Sequence, residues 1–166
     1  MLSEAERHEI EAEAAAYPLR RSACIDALII VQRHRGWISD ESLRDIAAQL
    51  EMTPHEVDSV ATFYNLIYRR PVGRTVVHVC DSISCWVMGC DRLCEHLHRT
   101  LGIRFGETTT DGAVTLLPIP CLGACDHAPA ALINRELHTD LTPERLDARL
   151  TNGAAAPSPP SSPART

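Results

Sequence analysis

Four of the seven cysteines occur in two pairs whose spacing suits metal chemistry. Four residues separate Cys80 from Cys85. Three residues separate Cys121 from Cys125, and 35 residues lie between the pairs. Each pair follows a predicted strand, and two loops at one end of a sheet can bring four thiolates together. Sets of four cysteines hold iron–sulfur clusters, and Gly123 lets backbone amides approach sulfur closely. The four cysteines are therefore candidate cluster ligands.

The other cysteines are predicted to be core residues. Two of them, Cys90 and Cys94, lie in an apolar stripe with helical spacing i, i+3, i+4, i+7, i+11. The stripe consists of Cys90, Leu93, Cys94, Leu97 and Leu101. A free cysteine in such a stripe behaves as a small apolar side chain. Cys24 lies beside Ile25 in another apolar helix, so we expect it to be a buried thiol as well.

Two other classes of site use paired cysteines. A structural zinc site also takes four cysteines, but its ligand pairs usually lie two to four residues apart in knuckles. The first gap, at four residues, is at the upper end of that range, and the long intervening segment favours iron and sulfur over zinc. A dithiol oxidoreductase needs a C-x-x-C pair to activate its thiolate, and the chain has no two cysteines at that spacing.

Composition excludes several classes of function. The chain has 166 residues, 45% of them apolar and 23% charged, and a formal net charge of −6. Such an acidic chain does not attract phosphate backbones, so we expect no nucleic-acid partner. No apolar run approaches the roughly 18–20 residues that span a bilayer, so we expect no direct membrane insertion. The polar, acidic start predicts no secretory or organelle signal, and hence a cytoplasmic chain.

Apolar periodicity and turn residues predict an α/β chain with helices before the strands. Helices are expected over 3–16, 20–34 and 40–50, and another from Thr53, where a capping box with Glu56 begins it. Further predictions are a helix over 86–101, one from Thr142, and strands at 75–79, 113–117, 130–134 and 136–138. Pro118 and Pro120 are expected to frame the second cysteine loop. The Glu-rich first helix is predicted to be a solvated face, and the Ala/Pro/Ser tail to be disordered.

The cysteine loops resemble those of a known family. Segment 121–129 reads C-L-G-A-C-D-H-A-P, which is similar to the C-L-G-x-C-x-x-[GA]-P motif of the E-chain family of NADH:quinone oxidoreductase, respiratory complex I. Segments 79–85, 60–64 (V-A-T-F-Y) and 111–118 resemble three further motifs of that family, and the likeness covers roughly 20–150. Val114 stands where the family usually carries Phe, a difference that concerns packing rather than ligation.

The resemblance implies an N-terminal helical bundle followed by a thioredoxin-like [2Fe–2S] ferredoxin domain. We place the helical segment at 1–70, the cluster domain at 71–151 and the tail at 152–166. The cluster ligands are expected to be four cysteines: Cys80, Cys85, Cys121 and Cys125.

The family also implies the partners. These are a subunit that binds FMN and NADH and other peripheral-arm subunits. The family further implies that the chain is attached to the inner membrane through the complex. No G-x-G-x-x-G follows a strand, so no dinucleotide site of the chain's own and no catalytic residue is expected. Similar chains occur in NAD-linked hydrogenases and formate dehydrogenases, and the sequence leaves these siblings open.

Three further features have two interpretations each. Segment 60–64 is predicted to serve packing or a subunit interface rather than catalysis. His127 is expected to be a solvated loop residue, although it could tune a neighbouring cluster. For Trp86 the sequence leaves open whether the side chain contacts a partner or covers the cluster.

Overall fold

The chain folds as two compact units, Met1–Pro71 and a second that begins at Val72. The computed structural model describes residues 1–153, and it describes side chains for 1–150. Most of the predicted disordered tail, from residue 154 onward, lies outside the described residues, whereas 152 and 153 belong to the last helix. Within the described part of the chain, no helix is both long enough and apolar enough to cross a bilayer.

The first unit is helical, as predicted. The predicted helix over 20–34 begins as a 3-10 turn, Arg20–Ala23, before the regular α-helix starts at Cys24. The four α-helices are α1 Glu4–Ala14, α2 Cys24–Arg35, α3 Asp40–Gln49 and α4 Pro54–Phe63. The largest buried side chains of this unit include Ile10, Leu28, Val31, Ile38, Ile46 and Leu50. Cys24 is a buried thiol as expected, and burial raises its pKa to about 11.

Helix α4 begins with the predicted capping box. The Thr53 hydroxyl accepts from the Glu56 amide at 3.3 Å, and the Glu56 carboxylate accepts from the Thr53 amide at 2.9 Å. Val57 and Ala61 are buried. Tyr64, the residue after the helix, has an extended backbone, and its side chain is 42% exposed.

Helix α1 leaves most of its glutamates at least partly exposed, as predicted, but Glu6 is an exception. Glu6 is only 2% exposed and forms a two-pronged ion pair with Arg35 of α2, with N···O distances of 2.6 and 2.7 Å. The Ser3 amide donates to the same carboxylate at 2.7 Å. These bonds, chiefly those from Arg35, lower the pKa of Glu6 from 4.5 to about 2. The sequence pattern missed this pair because the partner lies on another helix.

The Glu6–Arg35 pair predicts an acid-sensitive contribution to stability. The pKa of Glu6 is lower in the folded chain than in the unfolded chain. The stabilisation of the fold by ionised Glu6 is therefore complete above pH 4.5 and is lost as the pH falls towards 2. The depression corresponds to roughly 3 kcal/mol. We therefore expect Glu6→Gln to lower the free energy of unfolding by about 2–3 kcal/mol at pH 7 and by much less near pH 2.

Urea unfolding of the full chain between pH 7 and pH 2.5 tests this expectation. Glu4→Gln is the matched control, because Glu4 lies in the first turn of the same helix and is exposed. A constant difference between wild type and Glu6→Gln at every pH would show that the carboxylate charge contributes nothing.

The second unit contains a mixed four-stranded sheet with the order β2-β1-β3-β4. Its strands are β1 Thr75–Cys80, β2 Val114–Ile119, β3 Ala131–Ile133 and β4 Glu136–His138. Strands β1 and β2 are parallel, with Cys80 opposite Ile119, whereas β3 is antiparallel to both β1 and β4. Because carboxyl ends of parallel strands meet at one sheet edge, the loops after β1 and β2 leave the sheet together. The α/β prediction is confirmed, and it is this pairing that positions the cysteine loops.

Three helices complete this unit: α5 Ile83–Val87, α6 Cys90–Leu101 and α7 Pro143–Gly153. A single helix over 86–101 was predicted, and this was wrong. Gly89 has φ +97°, a left-handed backbone conformation that residues other than glycine rarely adopt. This residue separates α5 from α6. The α6 stripe packs as expected, with Cys90, Leu93 and Leu97 buried and Cys94 partly buried.

Pro118 lies within β2 rather than in the loop after it, contrary to the prediction. It is exposed, and β2 is at the edge of the sheet. An edge strand tolerates proline because one side of its backbone forms no ladder hydrogen bonds. The second cysteine loop therefore begins only at Pro120.

Candidate metal centre

The four candidate ligands lie in the two loops that follow β1 and β2. Cys80 is the last residue of β1, and Cys85 lies in α5 directly after it. Cys121 follows β2 by two residues, and Cys125 begins a 3-10 turn, Cys125–His127. The backbone joins the loops at their base, since the Asp81 amide donates to the Ile119 carbonyl at 3.1 Å.

The first pair is shielded from water. Cys80 is 2% exposed and Cys85 is 3% exposed. Burial raises the pKa of Cys85 to about 11, and the nearby backbone of Ala130 opposes that rise. The Ala130 carbonyl accepts from the Cys80 amide at 3.1 Å. One residue of the segment before β3 thus lies beside both cysteines of this pair.

The second pair is exposed, and its two sulfurs lie together. The Sγ atoms of Cys121 and Cys125 are 3.3 Å apart. The Gly123 amide donates to the Cys121 sulfur at 3.4 Å, which is possible because Gly123 turns the loop with φ +81°. That amide is the main reason why the pKa of Cys121 is lowered. The hydrogen bond between the two thiols raises the pKa of Cys125.

Two serines connect the loops. The Ser82 side chain lies close enough to Cys121 to lower its pKa, and the Ser84 side chain lies close enough to Cys125 to oppose the rise in its pKa. Cys80 is also close enough to Cys125 for the charge on one to influence the other. The structure therefore brings each pair together and sets the two pairs side by side. Neither the serines nor Ala130 were predicted from the sequence, although both serines lie between the two ligands of the first loop, in the segment D-S-I-S-C.

The four candidate thiols lie in two pairs and do not converge on the position of a single metal ion. Within residues 1–153, no three His, Cys, Asp or Glu side chains are grouped closely enough to hold one metal ion. A [2Fe–2S] cluster contains two irons that each take two protein ligands, so two adjacent thiol pairs fit it. The Gly123 amide that donates to the Cys121 sulfur fits it as well, since such bonds tune cluster potentials.

Cys90 supports the first loop without belonging to either pair. Its thiol donates to the Cys80 carbonyl at 3.2 Å and lies 3.7 Å from the Cys94 sulfur. The contact with Cys94, together with burial, raises the pKa of Cys90, while the same contact lowers the pKa of Cys94. Both thiols lie on α6, behind the first loop, in the stripe that the sequence assigned to the core.

His127 is exposed, as expected, but it is not simply solvated. Its Nδ1 lies 3.2 Å from the Asp140 carboxylate and its Nε2 lies 3.6 Å from that of Asp126. The His127 carbonyl also accepts from the Asp140 amide at 2.8 Å. These contacts fix the end of the second loop against the segment before α7.

Comparisons with known proteins agree on one family. The model of the thioredoxin-like [2Fe–2S] ferredoxin family matches residues 10–153. The E subunit of NADH-quinone oxidoreductase from Pseudomonas aeruginosa is 45% identical over 144 residues, which is 87% of this chain and 87% of that protein. The protein of the same name from Escherichia coli K12 is 46% identical over 145 residues, again 87% of each chain.

The solved structures add a more distant relative. A crystal structure of NAD⁺-reducing [NiFe]-hydrogenase in its H₂-reduced state superposes with a TM-score of 0.69 at 28% identity. The likeness covers 81% of this chain but only 23% of the hydrogenase chain.

Proposed function

Since this chain belongs to the family of thioredoxin-like [2Fe–2S] ferredoxins, we propose that it is the electron-carrying subunit of an NADH:quinone oxidoreductase. It holds one [2Fe–2S] cluster through four thiolates: Cys80, Cys85, Cys121 and Cys125. Residues 71–151 form the cluster domain, and the helices of 1–70 precede it. The observation that supports this most directly is the meeting of two cysteine pairs at one edge of the β1–β2 sheet.

When bound, the cluster supplies a centre that accepts and returns one electron. The residues of the chain provide its surroundings. Burial of Cys80 and Cys85 excludes water from one side, whereas the loop of Cys121 and Cys125 stays exposed. The Gly123 amide donates to the Cys121 sulfur and so favours the thiolate form that binds metal, and the Ala130 backbone acts in the same direction on Cys85.

The partner follows from electron counting. NADH gives up a hydride, which carries two electrons, whereas this centre takes one, so a flavin must divide the pair. That flavin is FMN on a partner subunit that also binds NADH. Other peripheral-arm subunits attach this cytoplasmic chain to the inner membrane without insertion of its own.

The hydrogenase superposition supports a second assignment, to the diaphorase part of an NAD-linked hydrogenase. An equivalent formate dehydrogenase component belongs to the same class. The relatives from NADH-quinone oxidoreductase are closer in sequence, at 45–46% identity against 28%, and this favours the quinone-reducing complex.

Affinity purification of the tagged full-length chain from its native cells separates these assignments. We expect the flavin subunit and further peripheral-arm subunits to co-purify from detergent-solubilised membranes, identified by mass spectrometry. Recovery of hydrogenase or formate dehydrogenase subunits instead would replace the proposed complex by that sibling. Recovery of the chain alone, with all of it absent from the membrane fraction, would contradict membership of either.

A further inference from the structure

The Cys90 thiol joins helix α6 to the last residue of β1. It donates to the Cys80 carbonyl at 3.2 Å, across ten positions of the chain. Both residues are buried, with 3% and 2% exposure. A buried backbone carbonyl needs a hydrogen-bond donor, and here a side chain of another element supplies it. The thiol therefore contacts the backbone of a proposed ligand at a place that is shielded from water.

Hydrogen bonds hold the backbone on both sides of Cys80. The Cys80 amide donates to the Ala130 carbonyl at 3.1 Å. The next amide along the chain, that of Asp81, donates to the Ile119 carbonyl at 3.1 Å. Because the backbone around a residue sets the direction of its Cα–Cβ bond, these contacts and the bond from Cys90 orient the Cys80 side chain. Among them, the bond from Cys90 is made by a side chain, so a substitution can remove it.

The neighbours of Cys90 on either side set the position of its thiol. Gly89, with φ +97°, precedes the helix, so that Cys90 is the first residue of α6. The Cys94 sulfur, one helical turn further on, lies 3.7 Å from the Cys90 sulfur. Each protonated thiol has one proton to donate, and that of Cys90 goes to the Cys80 carbonyl, so Cys94 donates to Cys90. Hydrogen bonds in such a chain polarise one another, which strengthens the donor at Cys80.

A hydrogen-bond donor behind a ligand favours the reduced state of a metal centre. Reduction adds one negative charge, and the positive end of an S–H group offsets part of that charge. We infer that Cys90 is a positioning residue that raises the reduction potential of the cluster through the Cys80 backbone. The inference rests on the proposed function, in which Cys80 binds the cluster. Cys90 acts without binding iron, because its proton is directed to a carbonyl oxygen.

A redox titration of the full-length, cluster-loaded chain, followed by EPR, tests this role. Cys90→Ala removes the donor and should keep the [2Fe–2S] signal. At the wild-type midpoint potential, we expect the ratio of reduced to oxidised cluster to fall about threefold to tenfold in this variant. For a one-electron centre that change is a shift of about 30–60 mV to more negative potential. Cys90→Ser keeps a hydroxyl donor, and its midpoint should lie between those of Cys90→Ala and wild type.

Two further measurements separate this role from packing. Leu93→Val shortens a neighbouring buried side chain of α6 and leaves the donor in place, so the ratio should stay within about 1.5-fold of wild type. Infrared difference spectra between the oxidised and reduced chain observe the thiol itself, because S–H stretching absorbs apart from other protein bands. We expect a difference signal there that disappears in Cys90→Ala and remains in Leu93→Val.

An unchanged midpoint in Cys90→Ala would overturn the inference, and so would an equal shift in Leu93→Val. If Cys90→Ala does not fold, Cys90→Val takes its place, since valine fills the space and carries no donor. The same negative shift is then expected, and a wild-type midpoint would overturn the role. A wild-type chain without a [2Fe–2S] signal contradicts the proposed function itself, whereas a chain with the signal and no shift in the variant refutes only the role of Cys90.

Discussion

Serine replacements of the paired cysteines are expected to remove or alter the [2Fe–2S] EPR signal of the reduced chain. The four single variants are Cys80→Ser, Cys85→Ser, Cys121→Ser and Cys125→Ser. Each removes one of two thiolates available to an iron, and an alkoxide oxygen is a harder and poorer replacement. We expect the cluster content to drop by roughly tenfold or more, or the g-values to shift where serine still binds.

The control variants leave all four cysteines of the two loops in place. Cys90→Ala and Cys94→Ala remove sulfurs from α6, and both should retain the cluster. Cys90 is the stringent control because its thiol contacts the Cys80 carbonyl at 3.2 Å, so it lies next to a ligand without being one. An unchanged signal in Cys121→Ser, or a lost signal in Cys90→Ala, would overturn the ligand assignment.

The second large effect concerns the source of electrons. The cluster-loaded chain alone is expected not to oxidise NADH, because no G-x-G-x-x-G follows any of its strands and because hydride chemistry needs a flavin. Addition of the flavin subunit should raise the rate of cluster reduction by NADH by roughly two orders of magnitude or more. Stopped-flow absorbance of the cluster measures this rate.

Dithionite is the control for this experiment, since it reduces the cluster directly and should do so with or without the flavin subunit. Rapid NADH turnover by the isolated chain would contradict its role as a carrier. The Cys121→Ser variant, mixed with the flavin subunit, is a second control. The flavin subunit in this mixture should still oxidise NADH with an artificial acceptor.

Features that depend on local spacing were predictable from the sequence. The β-branched run before Cys80, the Thr53–Glu56 capping box and the buried stripe of α6 are each encoded within about a dozen residues. The two cysteine loops were located because each pair follows a strand. Whether all four cysteines ligate a cluster stays a prediction.

Features that depend on the meeting of distant segments were not predictable. Glu6 was interpreted as solvated because its partner, Arg35, is 29 residues away. Ala130 acts on Cys85 through its backbone, which has no residue-type signal. Gly89 was overlooked because a single glycine is tolerated in many helices, and only its left-handed φ shows that it separates α5 from α6.

Iron and acid-labile sulfide analysis, combined with EPR on one anaerobic preparation of the full-length chain, tests the central claim most directly. Two neighbouring thiol pairs predict about two irons and about two sulfides per chain, with a [2Fe–2S] spectrum after reduction. A colourless protein that contains about one zinc per chain and no labile sulfide would contradict the account.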